Sequence, residues 1–367
     1  MKPRLIIALA AVVAIVVCAS WLWRDEPARS AQASATPPPG APARSEPHRG
    51  FAAPANATTA EESALASPKP GTEKSSAMPF GEDLFSRKIT TEDIRKFLAL
   101  RGETAANLVV AYEAAQDFQW LERAEQLFPN NPLVLEALIT SKLQPEKLAE
   151  RIARFKAADG NNPLPWIFSA EQMFKAHDPA AKEELEAALS RPGFYTYTKE
   201  RTDASRALFE SMGWAPLDAE ARSVFGLPIP QMSTASSIGK NLMELQKTAA
   251  ESGDQAESGH LLQLTYDLGK MFSTPEASRF LIGQLVGYSL ERKALDAMPA
   301  DQSLPSGGTV ADRLAELDRM KEQTKTMMQT SEAAIAGDPA LRLEYLQRVR
   351  TYGETIAMRW LQQRKQK

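Results

Sequence analysis

Asn130-Asn131-Pro132-Leu133 recurs 31 residues later as Asn161-Asn162-Pro163-Leu164. A turn signal repeated at a fixed interval, with helical periodicity between the copies, is the pattern of stacked helix pairs that bury their apolar faces against one another. The flanking sequence is punctuated in the same way. Breaks fall at Gln144-Pro145, Asp178-Pro179 and Arg191-Pro192-Gly193, which leaves intervals suited to short helices joined by tight loops. Thr90-Thr91-Glu92-Asp93 supplies a helix start before Ile94, Phe97 and Leu98. Leu108, Ala111, Tyr112 and Ala115 share a face in the next helix, as do Leu121, Ala124, Leu127 and Phe128 in the one after.

Beyond residue 82 the chain holds 34 leucines against 17 valines and isoleucines. Leucine and alanine lose little entropy on entering a helix, whereas β-branched residues favour strands. An all-α body follows, of antiparallel helix pairs in an α-α superhelix or solenoid, closed by a C-terminal helical hairpin.

The repeat resembles the tetratricopeptide family loosely, over about residues 104–192. In the unit that begins near Asn162, Trp166 takes the early bulky place, Ala170 the small one and Met173 or Phe174 the large one. Ala181, Leu185 and Leu189 follow on the second helix. The period of 31 is shorter than that family's, and the usual glycine of the first helix is missing. The resemblance implies a scaffold that binds other proteins on a concave face, and no catalytic residue.

The N-terminal segments are of another kind. After Lys2 and Arg4 runs an uncharged stretch, Leu5 to Trp23, with Trp21 and Trp23 at its far end. A helix of that length spans about 28 Å, close to the hydrocarbon thickness of a bilayer. Residues 1–23 are therefore read as a single-pass membrane anchor through 5–23, basic end in the cytoplasm and body outside it. A cleaved signal peptide and lipidation at Cys18 are the rival readings. Residues 24–82 hold ten prolines, four glycines and fourteen alanines, too little apolar surface to offset the entropy of ordering, and read as a disordered linker. A coil of that length has a root-mean-square span of about 45 Å.

Two helical regions are expected after the linker, 83–227 and 238–367, with Leu227-Pro228-Ile229-Pro230 and Ser233 to Ser237 as the break. Thr274-Pro275-Glu276 reads as the start of a helix to Met298, in which Gly283 and Gly287 allow a close helix crossing. Helices from Val310 to Ala336 and from Pro339 to about Gln363 complete the chain. Leu341, Tyr345, Val349, Tyr352, Ile356 and Trp360 form one apolar stripe along the last.

The chemistry is sparse. Phosphate-loop, dinucleotide, nucleophile-elbow and His-Glu-x-x-His motifs are absent from the sequence, so no cofactor, metal or catalytic residue is assigned. His177 is expected at a helix end and His260 as a partly buried, hydrogen-bonded side chain. The body carries 35 basic and 39 acidic residues, which argues against nucleic acid as a partner. Trp120 and Trp166 are expected in the core. Tyr195, Tyr197 and Trp214 are the candidates for a partner-binding patch. Trp214, between Met212-Gly213 and Pro216, is expected to pack, while Tyr195 and Tyr197, after Pro192-Gly193, are expected at the surface. Two functions remain: a membrane-tethered helical-repeat scaffold for an unidentified protein partner, or an envelope enzyme on an α-α superhelix using carboxylates that the sequence does not single out.

Overall fold

The computed structural model describes residue 84 and residues 87–274 and 279–365. The expected anchor (5–23) and linker (24–82) lie outside the described residues. Among the described residues there is no strand, only an isolated bridge between Ser303 and Thr309, and no helix is long and apolar enough to cross a membrane.

The helices are α1 (Thr91–Arg101), α2 (Ala105–Ala115), α3 (Phe118–Leu127), α4 (Pro132–Ser141), α5 (Leu148–Ala158), α6 (Leu164–Lys175), α7 (Ala181–Leu189), α8 (Thr198–Ser211) and α9 (Pro216–Phe225). They continue as α10 (Pro230–Glu251), α11 (Gln255–Ser273), α12 (Leu281–Asp296), α13 (Val310–Ile335), α14 (Pro339–Tyr352) and α15 (Glu354–Lys365). Local chemistry sets most of the starts. Thr90 and Thr309 form capping boxes with Asp93 and Asp312, and Pro132, Pro216, Pro230 and Pro339 stand in first turns that need no proline N–H. Both copies of the Asn-Asn-Pro-Leu break work alike. Asn131 Oδ1 accepts from Leu133 N at 3.1 Å, and Asn162 Oδ1 accepts from Leu164 N at 3.0 Å.

Pairs α2–α3, α4–α5 and α6–α7 pack in succession, with α4 against α2 and α3, and α6 against α5. Ala170, Phe174, Ala181 and Leu185 are buried where α6 and α7 pack. Helix α8 packs on α2, and α10 packs on α6, so first helices of the pairs are covered by later parts of the same chain.

Five expectations are corrected here. All described residues belong to one compact unit, and Ser233 to Ser237 lie inside α10, whose inner face buries Met232, Ala235, Ile238 and Leu242. Helix α12 starts at Leu281, because its first N–H is capped from across the fold by Glu354 Oε2 at 2.8 Å; residues 275–278 lie outside the described residues. The last expected helix is two. Gly353, at φ 93°, breaks it, and Glu354 N donates to Arg279 O at 2.7 Å. The break rotates the buried face: Tyr345 and Val349 are buried in α14, but Tyr352 and Ile356 are 57% and 48% exposed, while Ala357, Met358 and Leu361 face the core. Trp120 is buried, but Trp166 is half-buried between Lys156 Nζ and Arg191 Cζ, 4.3 and 3.6 Å from its ring centre. Tyr197, the fifth, is taken up with the site below.

The glycine crossing exists and involves α11 and α12. A methyl group on Gly287 would stand 2.6 Å from Gly269 O and 2.8 Å from Phe272 C, and one on Gly269 would stand 2.8 Å from Gly287 O. Backbone meets backbone there, so neither side can yield. Gly287→Ala is expected to cost about 1–3 kcal/mol, the range for overpacking. Gly259→Ala, in α11 with no atom within 4 Å of an added methyl, should instead stabilise by about 0.5–1 kcal/mol. Urea unfolding of both variants checks the pair of signs.

Candidate functional site

Helix α2 contains one charged residue, Glu113, and α4 also one, Glu136, each inside an otherwise apolar run. Both point at Arg201 of α8. Glu113 Oε1 accepts from Arg201 Nη2, and Glu136 Oε2 lies 3.6 Å from Arg201 Nη1. The three side chains are 9%, 1% and 5% exposed. Two carboxylates therefore share one guanidinium in a region without solvent, and Glu113 Oε2, both Glu136 oxygens and Arg201 Nε have no hydrogen-bond partner. Burial raises the Glu113 carboxyl against the pull of Arg201, and pushes Glu136 up to about 7. Burial works against the charge of Arg201, but the two carboxylates push its pKa up.

Helix α8 makes two further ionic contacts. Asp203 accepts from Arg350 of α14, and Arg206 Nε lies 3.2 Å from Glu220 Oε2 of α9. Glu220 is itself buried and accepts from Arg350 Nε at 2.6 Å. A helix whose own sequence is polar is thus held by charge on three sides.

The segment leading into α8 carries the aromatic candidates. Asn162 clamps its main chain: Oδ1 accepts from Tyr195 N at 3.3 Å, and Nδ2 donates to Tyr195 O at 2.8 Å. Tyr197 is buried, not exposed as expected. Its hydroxyl donates to Asp159, its ring lies 6.1 Å from that of Phe155, and these contacts hold it at φ 49°, a left-handed conformation unfavourable for a side chain of this size. Trp214 is buried as expected, with its ring 4.8 Å from Phe209 and Arg87 Cζ 4.9 Å above it. Tyr195 alone of the three reaches solvent, at 46% exposure. Its ring meets Tyr197 edge to face at 5.0 Å, and its hydroxyl donates to Glu200 Oε1 at 2.5 Å. Partial burial, then Glu200, raise its pKa to about 12.

The neighbouring cavity, lined in part by Thr196, Thr198, Gln231 and Arg279, measures about 10 Å³, room for one water and not for a substrate. A cleft of about 330 Å³ lies elsewhere, where Lys270, Ser306, Asp312, Arg313 and Glu316 mix both charges. Arg313 there is bound to Glu291 and Glu316 at 2.5 Å each, and Asp312 is bound to Thr309. Among the described residues no cluster of three or more His, Cys, Asp or Glu side chains could hold a metal ion. His177 is exposed beyond the end of α6, and His260, 41% exposed rather than partly buried, lies 2.7 Å from Glu186 through Nε2. No family model, no curated protein and no solved structure matches the chain.

The ionic cluster escaped the sequence reading, although a signal for half of it was there. A lone glutamate in an apolar helix must find a buried cation or lose its charge. Nothing local marked Arg201 as that cation.

Folding raises the proton affinity of Glu136 above that of an unfolded glutamate. The stabilisation this brings is fully present below about pH 4.5 and is lost as pH rises through about 7. Glu136→Gln removes the titration. Going from pH 5 to pH 8, the variant should therefore gain on the unsubstituted protein by about 1 kcal/mol or more in urea unfolding. A stability difference that stays constant across that range would contradict the assignment.

Proposed function

We propose that this chain is a membrane-tethered helical scaffold that binds a partner protein outside the cytoplasm, with Tyr195 at the contact. The observation that carries the reading is the state of Tyr195, half-exposed yet fixed through its main chain by Asn162, its ring by Tyr197 and its hydroxyl by Glu200. An aromatic side chain already held in one position loses little entropy on binding, which is the property of an interface anchor. The inner face of the helix pairs, where the family resemblance would put the partner, is taken by α8 and α10. The contact therefore moves to the 194–200 segment. The anchor reading of residues 5–23 and the linker reading of 24–82 supply the tether.

A photo-crosslinking amino acid at position 195 of the full chain, in its own membranes, should trap a protein adduct of discrete mass. The same group at Leu245, which is 44% exposed on α10, should not. Tyr195→Ala should then weaken the trapped partner's binding by about 2 kcal/mol with the melting temperature nearly unchanged. Absence of an adduct at 195, or equal adducts at both positions, would overturn the reading.

A further inference from the structure

The C-terminal hairpin differs in charge from the rest of the chain. Residues 339–367 hold seven basic residues against two acidic ones, a net of +5 on a protein whose total is −3. Part of that charge is consumed internally, since Arg350 is bound to Glu220 and Asp203, whereas Arg348 and Arg364 share the single acid Glu344 and keep a net positive charge, with the Arg364 side chain 55% exposed. Of the two acids, Glu354 is turned inward onto Leu281 N, so it offsets nothing at the surface. Arg359 stands exposed on α15 without an ion pair or hydrogen bond among the described residues.

Aromatic and aliphatic side chains accompany this charge. Ile356, Arg359 or Trp360, and Gln363 recur at helical spacing on the solvent side of α15, with Ile356 48% exposed. Trp360 is half-buried between Arg348 and Arg364, whose guanidinium carbons lie 4.1 and 5.6 Å from its ring centre. Tyr352, at the end of α14, is 57% exposed. Exposed isoleucine and tyrosine beside tryptophan and unpaired arginine are the composition that settles at a bilayer surface, where rings and aliphatic groups reach the headgroup level and cations meet anionic lipid.

On the anchor reading of residues 5–23, the tether would keep this surface at high local concentration near the bilayer.

We propose that the α14–α15 hairpin docks on an anionic lipid surface, with Ile356 and Tyr352 as the apolar contacts and Arg359 and Arg364 as headgroup contacts. Docking would hold the body against the membrane instead of leaving it at the end of its linker. The proposal rests on the anchor reading for its local concentration, and the two are separated in the test.

Full-length protein is added to vesicles of phosphatidylcholine, or of phosphatidylcholine with an equal share of phosphatidylglycerol, and amide exchange is followed by mass spectrometry. Exchange across residues 352–363 should slow with phosphatidylglycerol and recover at high salt, while exchange in α11 stays the same. Arg359→Gln with Arg364→Gln should lower the affinity for these vesicles about 25-fold, since each basic residue near an anionic surface contributes about five-fold. Flotation with pure phosphatidylcholine vesicles after a high-salt wash reads the anchor by itself. Failure to float removes the anchor, and protection in excess phosphatidylglycerol vesicles still decides docking. No phosphatidylglycerol-dependent protection overturns docking whether or not the chain floats. Protection of 352–363 by an acidic protein but not by protein-free vesicles would assign the surface to that class of partner and overturn the proposal too.

Discussion

Arg201 is buried between Glu113 and Glu136, and the placing of α8 depends on it. Taking three charges out of water is unfavourable by several kcal/mol per ion before their attraction is counted. The arrangement persists because the alternatives are worse: without Arg201, two carboxylates remain in a dry interior. The pairing therefore specifies where α8 goes more than it adds net stability. The second half of α8 buries Leu208 and Phe209, but its first half, Thr-Lys-Glu-Arg-Thr-Asp-Ala-Ser-Arg, offers little apolar surface to lay on α2.

Much of the body follows from that placement. With α8 on α2, the first of the helix pairs is covered, and the loop entering α8 passes the start of α6, where Asn162 catches it. Tyr197 turns inward onto Phe155 and Asp159, and Tyr195 turns outward. On its other flank α8 presents Asp203 to Arg350, which ties the C-terminal hairpin to α8 and α9. Arg279, two residues before α12, finishes the attachment, donating to the carbonyls of Arg350 and Thr351 at 2.6 Å each and accepting from Glu354 N through its own carbonyl. Helix α14 thus ends where three elements meet.

The parts of this fold written in local chemistry were legible in the sequence. Leucine excess over β-branched residues gave the class, and threonine, asparagine and proline gave the helix starts. Trp214, set among Met212, Gly213 and Pro216, packs as its surroundings suggested. Features decided at a distance were not legible. The start of α12 at Leu281 is capped by Glu354, 73 residues away, and no local signal marks it. Gly353 lies inside the stretch expected as one helix, and only its close approach to Arg279 shows why the chain turns there at φ 93°. Gly287 was recognisable as a crossing residue, but its counterpart Gly269 lay in another helix. Tyr195 and Tyr197 are two residues apart with the same flanks, and their opposite fates depend on Asn162 and Asp159.

The most direct test of the central claim is to remove the charges singly and together. At pH 8, Arg201→Met should cost about 3–5 kcal/mol in urea unfolding, because it leaves Glu113 and Glu136 buried without a counter-charge. Adding Glu113→Leu and Glu136→Leu to it should restore most of that loss, since a hydrophobic cluster of similar volume is often neutral or better. If Arg201→Met alone is as stable as the unsubstituted protein, or if the triple variant is no better than the single one, the ionic cluster is not what places α8.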